Sequence, residues 1–188
     1  MHIALFGGAF DPPHLGHQQV ARSLIEHKIV DEVWFVPVKK HPFDKQLTDD
    51  ADRLAMLTMI LDQGLHQMIE TYELHHSEKS FSYLTLQHFQ TEFPEHEFSW
   101  VIGADNVENF PKWFKYKELL DEFEVYIYPR VGSNHGWTLQ PGMVWLEKVA
   151  PIDISSSLIK HMLKEGESIT DLVDPQVERY IRENQLYL

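Results

Sequence analysis

Short apolar runs alternate with stretches of helical periodicity along this 188-residue chain. Ile3 to Phe6, Val33 to Val38, Met68 to Leu74, Phe98 to Ile102, Val125 to Tyr128 and Met143 to Leu146 read as buried strands. Between them, Gly16 to His27 repeats Val20, Ala21, Leu24 and Ile25 at helical spacing. Asp49 to Leu61 places Leu54, Leu57 and Leu61 on one face, and Ser80 to Phe93 offers Leu84, Leu86 and Phe89 as core contacts. Lys115 to Phe123 reads as a further short helix. Strands that alternate with helices form a parallel sheet covered on both faces. The expected class is therefore α/β, a doubly wound parallel sheet. From residue 151 the pattern changes to two helices, Ser155 to Leu163 and Asp174 to Asn184, the second opened by an Asp-Pro cap. The chain reads as one domain over 1–188, with an α/β core over 1–150 and a helical C-terminal part over 151–188. Val131 to Gly142 is rich in glycine and polar residues and reads as a surface loop.

Charge restricts the partners. The formal net charge is −13, so nucleic acid or an anionic membrane would repel the chain overall. An anionic ligand must meet positive potential concentrated locally, at helix N-termini and a few basic side chains. No apolar run approaches the ~20 residues that span a bilayer. The start, MHIALFGG, lacks the pattern of a signal peptide. There are no cysteines, which removes disulfides and Cys-based metal sites and fits a cytoplasmic enzyme. No feature specifies an oligomeric state.

The richest segment is GGAFDPPHLGH, from Gly7 to His17, with Ala9 and Phe10 in its turn. It joins the first strand to the first helix, at the sheet edge where ligands bind in open α/β folds. Gly7 and Gly8 let the backbone approach a phosphate. Gly16 and His17 begin a helix whose free N–H groups attract anions. His14 and His17 are three residues apart, so both rings can face one point and stabilise charge on a phosphoryl group in flight. The spacing is neither that of a dinucleotide-binding G-x-G-x-x-G loop nor that of a P-loop. A second segment, Asp153-Ile154-Ser155-Ser156-Ser157 running to Lys160, opens a late helix. Serines there are ordinary caps, and the same start offers hydroxyls and N–H groups to a phosphate.

These residues carry a family resemblance that extends over nearly the whole chain. GGAFDPPHLGH resembles the H-x-G-H signature of the nucleotidyltransferase superfamily. Gly103, Asp105 and Trp113 resemble the G-x-D and downstream Trp of bacterial nicotinate-nucleotide adenylyltransferases, and ISSSLIK resembles their I-S-S-T-x-I-R. The resemblance implies a Rossmann-like fold and an ATP site made by Gly7, Gly8, Ala9, Phe10, His14, Gly16, His17, Ile154, Ser155, Ser156 and Lys160, with His14 and His17 catalytic. It implies acceptor contacts from Lys45, Ser82, Gly103, Asp105 and Trp113, where Trp113 stacks on a pyridine ring and Ser82 replaces a Thr that helps hold the nicotinate carboxylate. Lys160 stands where the family has Arg, and Lys supplies charge without a planar fork. The segment Lys39 to Lys45 departs from the family's P-P-H-K. His75 and His76 read as surface residues, and His27, His66, His88 and His96 as no one's ligands.

The implied reaction is AMP transfer from ATP to nicotinate mononucleotide, giving deamido-NAD and pyrophosphate, a step of NAD synthesis. The acceptor phosphate attacks the α-phosphorus in line, and catalysis is positioning plus charge stabilisation. Mg²⁺ is expected to arrive with ATP, with no protein metal cage. Nicotinamide mononucleotide and phosphopantetheine stay open as acceptors. Two other classes stay open as well: an aminoacyl-tRNA synthetase fragment, which shares an H-x-G-H loop, and a non-catalytic nucleotide sensor.

Overall fold

The computed structural model describes residues 1–40, 46–62, 64–75, 80–133 and 138–188. Six parallel strands form one sheet: β1 (His2–Gly8), β2 (Glu32–Pro37), β3 (Gln67–Ile69), β4 (Glu97–Gly103), β5 (Glu124–Tyr128) and β6 (Met143–Trp145). Their order across the sheet is β3-β2-β1-β4-β5-β6. The helices are α1 (Leu15–Glu26), α2 (Asp50–Met59), α3 (Ser82–Glu92), α4 (Tyr116–Glu122), α5 (Ser156–Lys164) and α6 (Pro175–Glu183). The direction of winding reverses between β1 and β4, which opens a crevice beyond their carboxyl ends, at Gly8 and Gly103.

Both faces of the sheet are buried because the strand residues alternate. Ala4, Phe6, Val33, Phe35, Val101, Tyr126 and Tyr128 share one core with Val20 and Leu24 of α1, Leu57 of α2, Ile159 of α5 and Val177 of α6. Ile3, Leu5, Trp34, Val36, Trp100, Ile102 and Ile127 share the other with Leu86 and Phe89 of α3 and Leu119 of α4. The period of two along β1 and β2 decides which residue enters which core. The C-terminal helices thus pack into the same core as α1 and α2. Their starts are capped as the sequence implies: Asp174 Oδ1 accepts from Gln176 N at 2.8 Å, and Ser155 Oγ accepts from Leu158 N at 3.1 Å.

Several sequence expectations are corrected. Met68 to Leu74 is not one strand: β3 ends at Ile69, and Tyr72–His75 is a 3₁₀ turn. The turn follows from polar burial. Glu70 accepts from Tyr72 N at 3.0 Å, and Glu73 is buried where it accepts from Thr85 Oγ1 at 2.6 Å. Leu84 is exposed rather than core, because α3 buries the stripe Tyr83, Leu86 and Phe89. On α2 the buried residues are Arg53, Met56 and Leu57, and Leu54 is only half-buried. The 3₁₀ helix Ala104–Lys112, anchored by buried Phe110, has no counterpart in the sequence reading. The expected loop Val131 to Gly142 lies partly outside the described residues.

Arg53 is the least expected core residue. It is fully buried, and its guanidinium donates to Ala9 O at 2.7 Å, Val38 O at 2.8 Å, Thr48 O at 3.1 Å and Asp50 Oδ1 at 2.6 Å. It ties the loops after β1 and β2 to the start of α2. Arg53→Ala leaves the carbonyls of Ala9, Val38 and Thr48 without their donor. It is expected to cost about 3–5 kcal/mol in a urea unfolding experiment. A loss under about 1 kcal/mol contradicts the role of Arg53 as the anchor of both loops.

Candidate active site

The loop after β1 is turned inward by Phe10, whose backbone takes the left-handed region at φ 48°. Its ring is buried edge-on against Phe6, Phe35 and His17. Phe10 therefore supports His17 from behind and lines neither cleft described below. Gly7 has a packing role as well, since a Cβ there would overlap the Trp100 indole. Gly16 admits the close approach of Ile152, whose Cγ2 would lie 2.5 Å from a Cβ at position 16.

His14 is the N-cap of α1, and His17 lies one turn in. Their rings stack with centroids 3.7 Å apart. The backbone N–H of His14 donates to His17 Nδ1 at 3.1 Å. A backbone N–H can only donate, so this bond leaves the proton of the neutral His17 ring on Nε2. Burial pushes the His14 pKa down to about 3, with Arg130 adding to the effect. Burial likewise holds His17 well below the ordinary range, helped by His14 and Arg130. At neutral pH the pair is uncharged, and each ring offers one N–H donor.

Two clefts meet at this pair. The first, about 230 Å³, is lined by Asp11, His14, His17, Arg130, Ser155 to Ser157 and Lys160, together with Asp105 and Tyr128. The second, about 240 Å³, is lined by Gly7, Gly8, Glu73, Ser80, Ser82, Gly103, Asn106 and Trp113. Ala9, His17 and Tyr128 line both. His17 therefore stands where the two spaces join.

The cations of the first cleft are held by carboxylates. Lys160 Nζ lies 2.5 Å from Asp11 Oδ2, and Arg130 Nε lies 3.6 Å from Asp105 Oδ1. Arg130 also donates to Ile154 O at 2.6 Å, so Ile154 acts through its carbonyl on Arg130 and does not itself line the cleft. Burial alone would raise the Asp11 carboxyl. Bonds from Lys160, Tyr187 and Thr48 outweigh burial and hold it below the usual range. Burial pushes the Tyr128 hydroxyl up to about 12, so it stays a donor. The starts of α1 and α5 both face this cleft, and Ser156 Oγ is tied to Pro12 O at 2.8 Å.

In the second cleft, Trp113 packs on Phe110 at a centroid distance of 5.0 Å, and Ser82 opens α3. Ser80 Oγ is buried with no hydrogen-bond partner among the described residues. Of the lysines after β2, Lys39 pairs with Asp50 and Lys40 is exposed. Lys45 and His76 lie outside the described residues. Among the described residues no group of three or more His, Asp or Glu could hold a metal ion. The structure adds residues to which the sequence reading gave no role: Arg130, Asp11 and Tyr128. A signal for Arg130 was present, since it is the first cation beyond the carboxyl end of β5.

The cytidylyltransferase-like family model matches residues 5–162. A protein of Oceanobacillus iheyensis named probable nicotinate-nucleotide adenylyltransferase is 36% identical over 98% of this chain and 96% of its own length. One of the same name from Flavobacterium johnsoniae is 32% identical over 100% of this chain and 99% of its own. This chain belongs to the nicotinate-nucleotide adenylyltransferase family. A Plasmodium falciparum nicotinic acid mononucleotide adenylyltransferase, solved in complex with NaAD, superposes with a TM-score of 0.82. It is 22% identical, with 99% of this chain and 97% of that one covered. That likeness bears on the fold, and it bears out the expected Rossmann-like α/β class. No helix among the described residues is long and apolar enough to cross a membrane.

The histidine environment has a consequence for pH. The folded His14 pKa of about 3 lies below its unfolded value near 6.5. The unfolded chain then binds the proton more tightly, and stability present above pH 6.5 is lost as pH falls toward 3. At pH 5 the His14 contribution to that loss is roughly 2 kcal/mol. Ring-proton NMR of the folded chain is expected to show no His14 inflection between about pH 5 and 8. An inflection near 6.5 contradicts the buried, neutral pair.

Proposed function

We propose that this enzyme transfers AMP from ATP to nicotinate mononucleotide, releasing pyrophosphate and forming deamido-NAD. The observation that carries this reading is His17 at the junction of two clefts, one cationic and one lined by Trp113 and the start of α3. The triphosphate occupies the cationic cleft. Lys160, Arg130, Ser155, Ser156 and the α5 start hold the β- and γ-phosphates. The acceptor occupies the second cleft. Its pyridine ring lies against Trp113, and its carboxylate meets the free N–H groups of the α3 start with Ser82 and the buried Ser80 hydroxyl. Gly103 and Asp105 border the crevice between the two nucleotides, and Lys45 is assigned to the acceptor phosphate.

The acceptor phosphate oxygen attacks the α-phosphorus at the junction, and the bond to the pyrophosphate oxygen breaks on the opposite side. His17 Nε2–H and His14 donate to the α-phosphate oxygens as negative charge redistributes. As neutral donors with fixed rings they need no proton transfer. Among the described residues no cluster fits a protein-held Mg²⁺: in the cleft Asp11 is taken by Lys160, Tyr187 and Thr48, and Asp105 faces Arg130. Mg²⁺ enters as the counter-ion of ATP. Residues 1–188 act as one nucleotidyltransferase domain, and the site of action is the cytoplasm, in keeping with a chain without cysteine.

The test is pyrophosphate release with ATP and Mg²⁺, in parallel with nicotinate mononucleotide, nicotinamide mononucleotide and phosphopantetheine. The highest kcat/KM is expected with the nicotinate form, and turnover with phosphopantetheine alone contradicts the reading. His17→Ala is expected to lower kcat by about 10²–10³-fold, the loss typical of one preorganised transition-state donor. Unchanged turnover in that variant removes His17 from the chemistry.

A further inference from the structure

Tyr187, just beyond α6, reaches the phosphate side of the site. Its hydroxyl donates to Asp11 Oδ1 at 2.7 Å, while the other oxygen of the same carboxylate takes Lys160 Nζ at 2.5 Å. The Lys160 ammonium also lies 5.0 Å from the centroid of the Tyr187 ring. Asp11 is 2% exposed and receives a third bond from Thr48 N at 3.3 Å. Tyr187 takes a left-handed backbone, φ 65°, to make this approach. Lysine carries a point charge on a flexible stem and has no fork to set its direction. Here the carboxylate and the aromatic face supply that direction from two sides.

We propose that Tyr187 is a positioning residue for ATP binding: through Asp11 and its own ring it fixes the Lys160 ammonium toward the triphosphate cleft. Asp11 takes one of the three ammonium N–H donors, which leaves two for phosphate oxygens. Burial and the Asp11 charge keep the Tyr187 hydroxyl protonated, so it remains the donor throughout the working pH range. Tyr187 is thus part of the ATP site although it does not line the cleft.

The proposal rests on the assignment of the cationic cleft to ATP, and calorimetry with a non-hydrolysable ATP analogue tests it separately from turnover. Tyr187→Phe keeps the ring and loses the bond to a charged acceptor. The Kd for the analogue is expected to rise roughly five- to twentyfold. In a Lys160→Ala background the same change is expected to add less than about twofold, because the group it positions is gone. Tyr180→Phe is the control: Tyr180 belongs to the same C-terminal segment and donates to Asp52 at 2.9 Å, away from the cleft. It is expected to leave the Kd unchanged. Full additivity of Tyr187→Phe with Lys160→Ala overturns the proposal, and so does an equal effect from Tyr180→Phe. Analogue binding that responds as expected, without turnover of any pyridine nucleotide, would overturn the reaction and leave the positioning role standing.

Discussion

A guanidinium buried without exposure must satisfy its donors inside the protein, and Arg53 does so on three loop carbonyls and one carboxylate. Two of those carbonyls, Ala9 and Val38, belong to the turns that follow β1 and β2. The β1–β2 pairing closes there with Val38 N donating to Gly8 O at 3.0 Å, and the loop beyond it could take many paths. Arg53 selects one. Asp11, one turn along, fastens the same loop to Thr48, Lys160 and Tyr187. The loop is held at both its middle and its start by buried charge, and His14 and His17 inherit their placement from it.

That placement explains how an acidic protein handles two anionic substrates. The formal charge of −13 is spread over the surface, whereas Arg130, Lys160 and two helix starts face one cleft. Asp11 and Asp105 do not cancel this potential so much as orient it, each holding one cation in place. The histidines add hydrogen-bond donors without adding charge, because burial and Arg130 keep them neutral. Phosphate charge entering the cleft then meets groups already aligned, which keeps reorganisation small during the reaction.

The fold was legible because it rests on period. Alternation along β1, β2 and β4 and the helical stripe of α1 report burial directly, and the Asp174-Pro175 and Ser155 caps report helix starts. The histidine pair was legible because three-residue spacing on a helix start places two rings together. What remained hidden depends on contacts distant in sequence. Arg53 reads as an ordinary surface cation until two loops close over it. Asp11 lies inside the quoted motif, yet its partners are 37, 149 and 176 residues away. Leu84 was misplaced because Tyr83 and Thr85, not the aliphatic residues alone, set the buried face of α3. Two contacts of the same long-range kind are the Phe10 ring against His17 and the Ile154 carbonyl on Arg130.

The central claim is a single direct displacement, in which the protein orients two phosphates and contributes no nucleophile. The stereochemical course at the α-phosphorus tests it most directly. An ATP analogue made chiral at that phosphorus by sulfur substitution would be turned over with nicotinate mononucleotide, and the configuration of the product would be read by ³¹P NMR. One in-line displacement predicts inversion. Retention would signal two displacements through an adenylyl-enzyme, with a side chain such as His14 or His17 as the nucleophile, and would contradict the account.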